Sequence, residues 1–412
     1  MISVDQALEY VKNGALPLHS RRLSLSEVLR LRLRESIVSP IDSPPFDKVL
    51  LDGYAVIASD QSTERTVLEQ VTAGAVPHHA VEPGTTINVM TGAPLPDGAN
   101  AIIKVEDIVG EVETKDATTI EVPKSGVAAG TGILERGAAF HVGQEVLEFG
   151  RCLSPIDIAL LAEVGRAEVT VTPRPRVAVL ATGNELVECG QPVEPGHICN
   201  SNGPMLMAML RACRAEPVDL GISRDEPVEL MKLMEQGLQA DILLVTGGVS
   251  AGVMDLVPGV LQGLGVKEVF HKVRMKPGKP LWFGEYEHQD RRTLVYGMPG
   301  NPVSTLVSFE LFVKPALQVL AGDDFHPPQS QPAVLTNAIG HHGKRPTYYP
   351  SRLSFGERAS GRPTVETLPW RGSADLAALT AANALTLLPS GDYQYDAGTE
   401  VEVIPLLPFP SL

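Results

Sequence analysis

Two lysines stand three positions apart in the segment Lys276-Pro277-Gly278-Lys279-Pro280, and each is followed by a proline. Proline reduces the entropy that is lost when two ammonium groups are held together, so the segment predicts a rigid clamp for phosphate or another oxyanion. Taken alone, the same segment would fit two solvated surface lysines equally well.

Two further turns are rich in glycine, and each directly follows a short aliphatic run: Thr246-Gly247-Gly248-Val249-Ser250 and Gly297-Met298-Pro299-Gly300-Asn301-Pro302. Glycine lets backbone N–H groups approach an anion, and open α/β sheets bind ligands beyond the carboxyl ends of their strands. Asn301 and Pro302 also predict a helix start whose free N–H groups attract anions. A tight turn without a ligand is the alternative for the second motif alone.

Three carboxylates follow or neighbour predicted strand ends: Glu185, Asp225 and Asp255. Carboxylates beside phosphate-binding turns suit Mg²⁺, which takes one or two protein ligands and completes its shell with phosphate oxygens and water. Each residue alone would be explained more simply as a helix cap, but the joint pattern indicates a metal site. Asp52, Arg352 and Ser373 carry little information by themselves, and Asp52-Gly53 also fits an ordinary turn.

The elements that must hold these residues follow from periodicity and from proline. Helical spacing is predicted near the N-terminus and again over 23–37, and from Arg176 strands alternate with helices, which predicts a doubly wound α/β domain. Short strands after Pro328 predict a small β-barrel or sandwich. We therefore predict a helical linker domain (1–45 with 140–172), a β-rich domain (46–139), the α/β domain (173–326) and a C-terminal β-barrel domain (327–412).

Composition narrows the class of protein. The formal net charge of −15 argues against nucleic acid or an anionic membrane as the main partner, since both require clustered Lys and Arg. The 4 cysteines form no C-x-x-C pair, so neither a disulfide framework nor a zinc site is predicted. We find no continuous apolar run of span length and no signal-peptide pattern, and we expect a cytoplasmic protein.

Six motifs in order resemble the molybdopterin molybdenumtransferase family, which includes bacterial MoeA and the gephyrin E-domain. They are Asp-Gly-Tyr-Ala-Val (52–56), Met-Thr-Gly-Ala-Pro-Leu-Pro-Asp-Gly-Ala (90–99), Thr-Gly-Asn-Glu-Leu (182–186), Gly-Gly-Val-Ser (247–250), Lys-Pro-Gly-Lys-Pro (276–280) and Pro-Gly-Asn-Pro-Val-Ser (299–304). The resemblance implies a molybdopterin-binding α/β domain and an elongated homodimer with a shared active site. It also implies a reaction in which molybdate is inserted into adenylylated molybdopterin, with release of AMP and with help from Mg²⁺.

The resemblance further implies the roles of single residues. Glu185, Asp225 and Asp255 would hold Mg²⁺ or orient the pyrophosphate, and Lys276 and Lys279 would neutralise phosphate and incoming molybdate. Asp52 and Thr91 would reach in from the partner subunit. The binding surface would comprise Gly247, Gly248, Ser250, Pro299, Gly300, Asn301, Pro302, Arg352 and Ser373. Protein partners would be the molybdopterin adenylyltransferase and molybdoenzyme apoproteins.

The chain departs from the family pattern at several positions, among them Val49, Ala139 and Val253, where the family has a serine, a carboxylate and a glutamate. These changes leave open a diverged molybdopterin-binding paralogue or scaffold with little insertase activity. Tungstate in place of molybdate is another alternative, because the two oxyanions have the same charge and nearly the same size. An unrelated nucleotide enzyme would share the α/β motifs, since fold does not fix function.

Overall fold

A computed structural model describes residues 1–113, 118–249, 256–289, 291–355 and 361–406. The chain forms two compact units, one made of residues 1–21 with 171–412 and the other of residues 22–170. The finer division into four domains stays a prediction.

The helices are mostly short and the strands are many. The helices are α1 (Val4–Gly14), α2 (Pro155–Glu163), α3 (Asn202–Ala212), α4 (Pro227–Gly237), α5 (Val257–Gly263), α6 (Pro302–Ser308), α7 (Lys314–Leu320) and α8 (Leu376–Leu379). The strands are β1 (Arg21–Ser24), β2 (Arg32–Leu33), β3 (Ile37–Val38), β4 (Lys48–Val49), β5 (Gly53–Val56), β6 (Glu64–Val71), β7 (Thr85–Val89), β8 (Ala101–Lys104), β9 (Gly110–Glu113), β10 (Thr118–Glu121), β11 (Ile133–Leu134), β12 (Glu145–Leu147), β13 (Glu168–Thr172), β14 (Arg176–Thr182), β15 (Leu186–Val187), β16 (Ile198–Cys199), β17 (Glu216–Ser223), β18 (Ile242–Thr246), β19 (Lys267–His271), β20 (Trp282–His288), β21 (Arg291–Met298), β22 (Gln331–Leu335), β23 (Ile339–Gly343), β24 (Thr347–Ser354), β25 (Thr364–Thr367), β26 (Ala384–Leu388), β27 (Gly391–Tyr395) and β28 (Glu400–Pro405).

The first unit contains a six-stranded sheet in the order β17-β14-β18-β21-β20-β19. Strands β17, β14, β18 and β21 run parallel, whereas β20 is antiparallel to both of its neighbours. The chain leaves β14 toward β17 through α3 and then returns to β18 on the other side of β14 through α4. The strand order therefore reverses between β14 and β18, and such a switch point is where open α/β sheets bind ligands.

The central strands are apolar runs because both faces of the sheet are covered. All five residues of β18 are buried, with Ile242 and Leu244 in one core and Leu243 and Val245 in the other. Helices α3, α6 and α7 contribute to the first core, and α4 and α5 contribute to the second. The predicted doubly wound domain is confirmed.

One helical run in the described residues, Pro302–Leu320, is long and apolar enough to cross a membrane. A π-helical turn, Phe309–Val313, joins its two α-helical parts. The run is not continuously apolar in sequence, because Glu310 and Lys314 interrupt it. These two side chains form an ion pair at 2.9 Å. Because 83% of its apolar window is buried inside the protein, it is the central helix of the first core.

The C-terminal region is a barrel rather than a sandwich. Strands β22, β25, β24, β26 and β28 close around a core that includes Leu335, Leu353, Val365 and Val403. Strands β23 and β27 form a separate antiparallel pair that follows β22 and β26 in the chain.

The second unit is built mainly of strands, around the sheet β8-β5-β7-β6-β10-β9. The predicted helix over 23–37 is wrong, since this segment forms β1, β2 and β3 with turns between them. Its arginines and leucines alternate from Leu29 to Arg34, and a period of two fits a strand better than a helix. Arg30 also has a φ of 66°, which no α-helix accommodates. Helix α2 begins directly after Ser154, with a reciprocal capping box between Ser154 and Asp157.

Candidate active site

Three turns of the first unit meet at the carboxyl ends of β14, β18 and β21. The Gly247 N–H donates to the Met298 carbonyl at 3.1 Å, and a Cβ on Gly300 would lie 3.7 Å from Gly247 Cα. The Asn202 side chain, at the start of α3, donates to the Gly300 carbonyl at 2.6 Å. The switch point is therefore lined by the turns that follow β18 and β21 and by the start of α3.

Gly247 and Gly248 are required by the close approach of β14. Both have positive φ, 92° and 61°, and an added Cβ on Gly247 would overlap the Thr182 carbonyl oxygen. The next residue is also fixed, because the Val249 carbonyl lies 3.1 Å from His271 Nε2. Thr182 and His271 therefore both constrain the position of this turn. Ser250, the next residue, lies outside the described residues, as does Asp255.

Two of the three predicted metal ligands lie beside this switch point. The Asp225 N–H donates to Asn184 Oδ1 at 3.2 Å, which ties the ends of β14 and β17 together. Glu185 is exposed, and its carboxylate folds back over Gly183, where an added Cβ would lie 2.7 Å from Glu185 Cδ. Within the residues that the structure describes, no group of three or more His, Cys, Asp or Glu side chains forms a metal site.

The two lysines lie at the same end of the sheet. Trp282, the first residue of β20, pairs with Gly297 near the carboxyl end of β21, so the segment that precedes β20 stands beside the three turns. Lys276 and Lys279 are exposed, whereas Pro277 and Gly278 between them are buried. Gly278 packs so closely that an added Cβ would overlap the Met275 methyl group and lie 3.1 Å from Ser308 Oγ in α6.

Two residues of the C-terminal region, Ser373 and Trp370, also contact this part of the site. Asn301 Nδ2 donates to Ser373 Oγ at 3.0 Å, and the Val303 N–H donates to the Ser373 carbonyl at 3.1 Å. Asn301 is the N-cap residue of α6, as the sequence predicts, but its side chain bonds Ser373 rather than the helix. Lys276 Nζ lies 5.9 Å from the centre of the Trp370 ring, which is a cation–π arrangement.

Sequence reasoning missed Asn202, Ser308 and Trp370. The run Asn200-Ser201-Asn202-Gly203 at the start of α3 is a polar signal that would have pointed to Asn202. Nothing in the local sequence relates Ser308 to Gly278 or Trp370 to Lys276, because both contacts arise only through tertiary packing.

Arg352 forms a salt bridge and a hydrogen bond with residues other than Lys276 and Lys279, the two lysines of the lysine clamp. Arg352 Nη1 lies 3.7 Å from Glu366, and Arg352 Nε donates to the Ala381 carbonyl at 3.5 Å. The side chain is about half exposed, so the salt bridge contributes little that would hold it in this position.

Asp52 and Thr91 lie in the second unit and bond each other. Asp52 Oδ1 accepts from the Thr91 N–H at 2.7 Å and from Thr91 Oγ1 at 2.8 Å. These two hydrogen bonds lower the pKa of Asp52, because both stabilise the carboxylate. The pair joins the turn before β5 to the turn after β7.

We expect Thr91→Val to raise the pKa of Asp52 toward its ordinary value, because the hydroxyl donor is lost and the backbone donor remains. The carboxyl ¹³C titration of Asp52 would measure this change. Thr85→Val is the matched control, since the Thr85 hydroxyl donates to the Glu82 carbonyl. An unchanged Asp52 titration in Thr91→Val would contradict the assignment.

Two of the departures from the family pattern lie in ordinary structural positions of the second unit. Val49 is fully buried in a core with Ala55 and Ile87. Ala139 is exposed, and its N–H donates to the Ser43 carbonyl at 2.9 Å. The third, Val253, lies outside the described residues.

Three family models match consecutive parts of the chain. They describe a MoeA N-terminal region, domains I and II, over residues 2–165, a molybdopterin-binding domain over 178–319, and a MoeA C-terminal region, domain IV, over 332–406. Fold and site therefore define a protein of the MoeA architecture, with a central α/β domain of molybdopterin-binding type.

Relatives agree with this class over the full length. The chain is 34% identical to a molybdopterin molybdenumtransferase of Synechococcus elongatus, with 98% of this chain and 99% of that protein covered. It is 32% identical to a molybdopterin molybdenumtransferase of Haemophilus influenzae, with 98% of each covered. A crystal structure of the molybdopterin biosynthesis MoeA protein from Pyrococcus horikoshii has a TM-score of 0.77 at 28% identity, with 98% of this chain and 99% of that one covered. The chain belongs to the molybdopterin molybdenumtransferase family, and it is a transferase.

Proposed function

We propose that this transferase inserts molybdate into adenylylated molybdopterin and releases AMP. The observation that carries the proposal is the meeting of the lysine clamp with three strand-end turns at one end of the sheet. Both substrates are anions, and these elements offer backbone N–H groups and two exposed ammonium groups to them. A chain with a net charge of −15 thus has a local site that suits anions.

The proposed chemistry requires charge neutralisation and positioning more than a nucleophilic side chain. The turns at Gly247 and Gly300 would hold the phosphate-bearing substrate through backbone N–H groups other than that of Gly247, which donates to the Met298 carbonyl. Lys276 and Lys279 would neutralise phosphate and the incoming oxyanion. Ser373, held by Asn301, would offer its hydroxyl from the barrel side.

Mg²⁺ fits the donor set at the ends of β14 and β17. Glu185 and Asp225 supply hard oxygen ligands, and the space that Gly183 leaves free is filled by the Glu185 carboxylate. Together with Asp255 they would hold the ion, which would supply positive charge against the pyrophosphate. The protein side chains would orient this group and exclude water from it.

We further propose that the protein is a cytoplasmic homodimer in which Asp52 and Thr91 of one subunit complete the site of the other. The two hydrogen bonds from Thr91 to Asp52 support this proposal, because they favour the charged carboxylate and hold it in one position on its turn. Arg352 would leave Glu366 to reach the oxyanion. The molybdopterin adenylyltransferase and molybdoenzyme apoproteins are proposed as protein partners.

The proposal is tested by AMP release from adenylylated molybdopterin and Mg²⁺, with and without molybdate. We expect release that depends on molybdate and is accompanied by formation of active cofactor. Binding without release would instead favour a diverged paralogue or scaffold, the alternative suggested by the replacements at Val49, Ala139 and Val253. Faster release with tungstate than with molybdate would identify tungstate as the metal substrate.

A further inference from the structure

We propose that His341 is a positioning residue of the lysine clamp, and that it takes up a proton when an oxyanion binds beside Lys276. The proposal rests on the proposed function, because it requires an oxyanion at that clamp. It concerns a residue of β23 that no motif of the sequence points to.

His341 is joined to Lys276 by a short path through the barrel. Lys276 forms an isolated β-bridge with Thr347 of β24. The Lys276 N–H donates to the Pro346 carbonyl at 2.9 Å, and the Tyr348 N–H donates to the Lys276 carbonyl at 2.8 Å. Thr347 in turn pairs with Leu388 at the end of β26. The next residue, Pro389, leads into β27, whose first residue Gly391 pairs with Gly343, two residues after His341 in β23.

The His341 ring is buried but incompletely paired. Its exposed fraction is 5%, and Nε2 has no hydrogen-bond partner among the described residues. A proton taken up at Nε2 would therefore break no existing hydrogen bond of that atom. Gly343 packs on the ring, since an added Cβ there would lie 3.3 Å from His341 Cε1.

Protons can reach this ring from a neighbouring cleft. The cleft has a volume of about 510 Å³ and is lined by Gly343, Lys344, Ser390, Gly391 and Asp392. It includes the residue that packs on His341 and the residue that follows Pro389. The ring is thus one residue layer from solvent.

Burial and nearby positive charge favour the neutral form of His341 when no oxyanion is bound. Burial lowers its pKa, and repulsion from Lys276 and the neighbouring His342 lowers it further, while the Pro389 carbonyl and Asp392 act in the opposite direction. The Arg345 guanidinium, which bonds the Met275 carbonyl at 2.9 Å, adds positive charge next to Lys276. A bound dianion would offset these positive charges, so the imidazolium form becomes more favourable in the complex.

The sign of the pH dependence follows from linkage. Binding that raises the pKa of His341 is accompanied by proton uptake, so oxyanion affinity increases as the pH falls through the pKa of the complex toward that of the free protein. Each unit by which binding raises this pKa corresponds to about a tenfold higher affinity at a pH well below both pKa values than at a pH well above both.

The test uses the full-length protein and molybdate alone. Hydrogen–deuterium exchange at the imidazole C2 carbon, followed by mass spectrometry, measures the pKa of each histidine in the wild type. We expect molybdate to raise the value for His341 by roughly half a unit or more and to leave that of exposed His342 nearly unchanged. Calorimetry in buffers of different ionisation enthalpy should show proton uptake in the wild type and in His342→Gln, and a loss of that uptake in His341→Gln.

Molybdate binding without a change at His341, or proton uptake that persists in His341→Gln, would overturn this inference and leave the proposed function standing. Absence of molybdate binding to the wild type would overturn the oxyanion site and this inference with it. The exchange measurement needs no variant, so a His341→Gln protein that fails to fold leaves the test intact.

Discussion

Replacement of Lys279 by alanine is expected to lower molybdate-dependent AMP release by a factor of about 10² to 10³, the usual cost of removing one charge-stabilising donor from an oxyanion site. The Lys279 side chain is exposed, and its backbone carbonyl keeps the bond from the Val273 N–H at 3.0 Å. The variant should therefore fold as the wild type does, and the loss should lie in chemistry or in molybdate binding.

Steady-state kinetics with varied molybdate would separate the two contributions. A higher KM with unchanged kcat would mean that Lys279 binds the ground state, whereas a lower kcat would mean that it acts in the transition state. Lys267→Ala is the matched control, because Lys267 is an exposed lysine on β19 of the same unit. Wild-type turnover in a folded Lys279→Ala protein would count heavily against the proposed function.

Replacement of Gly247 by alanine is expected to destabilise the first unit by about 2 to 4 kcal/mol, through a strained positive φ and an overlap with backbone. The φ of Gly247 is 92°, and the new methyl group would meet the Thr182 carbonyl oxygen, which cannot move without disturbing β14. Any relief would push the turn away from Gly300, so we also expect substrate binding to be lost.

Urea unfolding followed by tryptophan fluorescence measures this effect. The chain has 2 tryptophans, Trp282 and Trp370, and both lie in the unit that contains Gly247. Gly259→Ala is the control, since nothing lies within 4 Å of a Cβ at this position of α5 and alanine there should stabilise by up to about 1 kcal/mol. Equal unfolding midpoints for Gly247→Ala and the wild type would show that the turn relaxes more easily than its packing indicates.

Local patterns were sufficient for most elements that position the site. The alternation of strands and helices from Arg176 predicts the α/β domain correctly, because buried parallel strands such as β18 are continuous apolar runs between turns. The helix predicted over 23–37 is wrong because the spacing of its leucines fits both a helical and an alternating period over so short a stretch. Only pairing with other strands decides between the two, and that information lies far away in the chain.

The sequence by itself determined the family and the α/β domain, and it predicted the lysines and glycines of a candidate anion site, because these depend on short motifs in which each residue has a backbone or charge role. Tertiary structure decided their partners: Asn301 bonds Ser373, Asp225 bonds Asn184, and Arg352 lies beside Glu366. His341 acquires its relation to Lys276 only through the bridge from Lys276 to Thr347 and the pairings of β24 with β26 and of β23 with β27. Hydrogen bonds and charge interactions act over a few ångströms in space, whatever the separation in sequence, so such contacts are fixed only when the chain has folded.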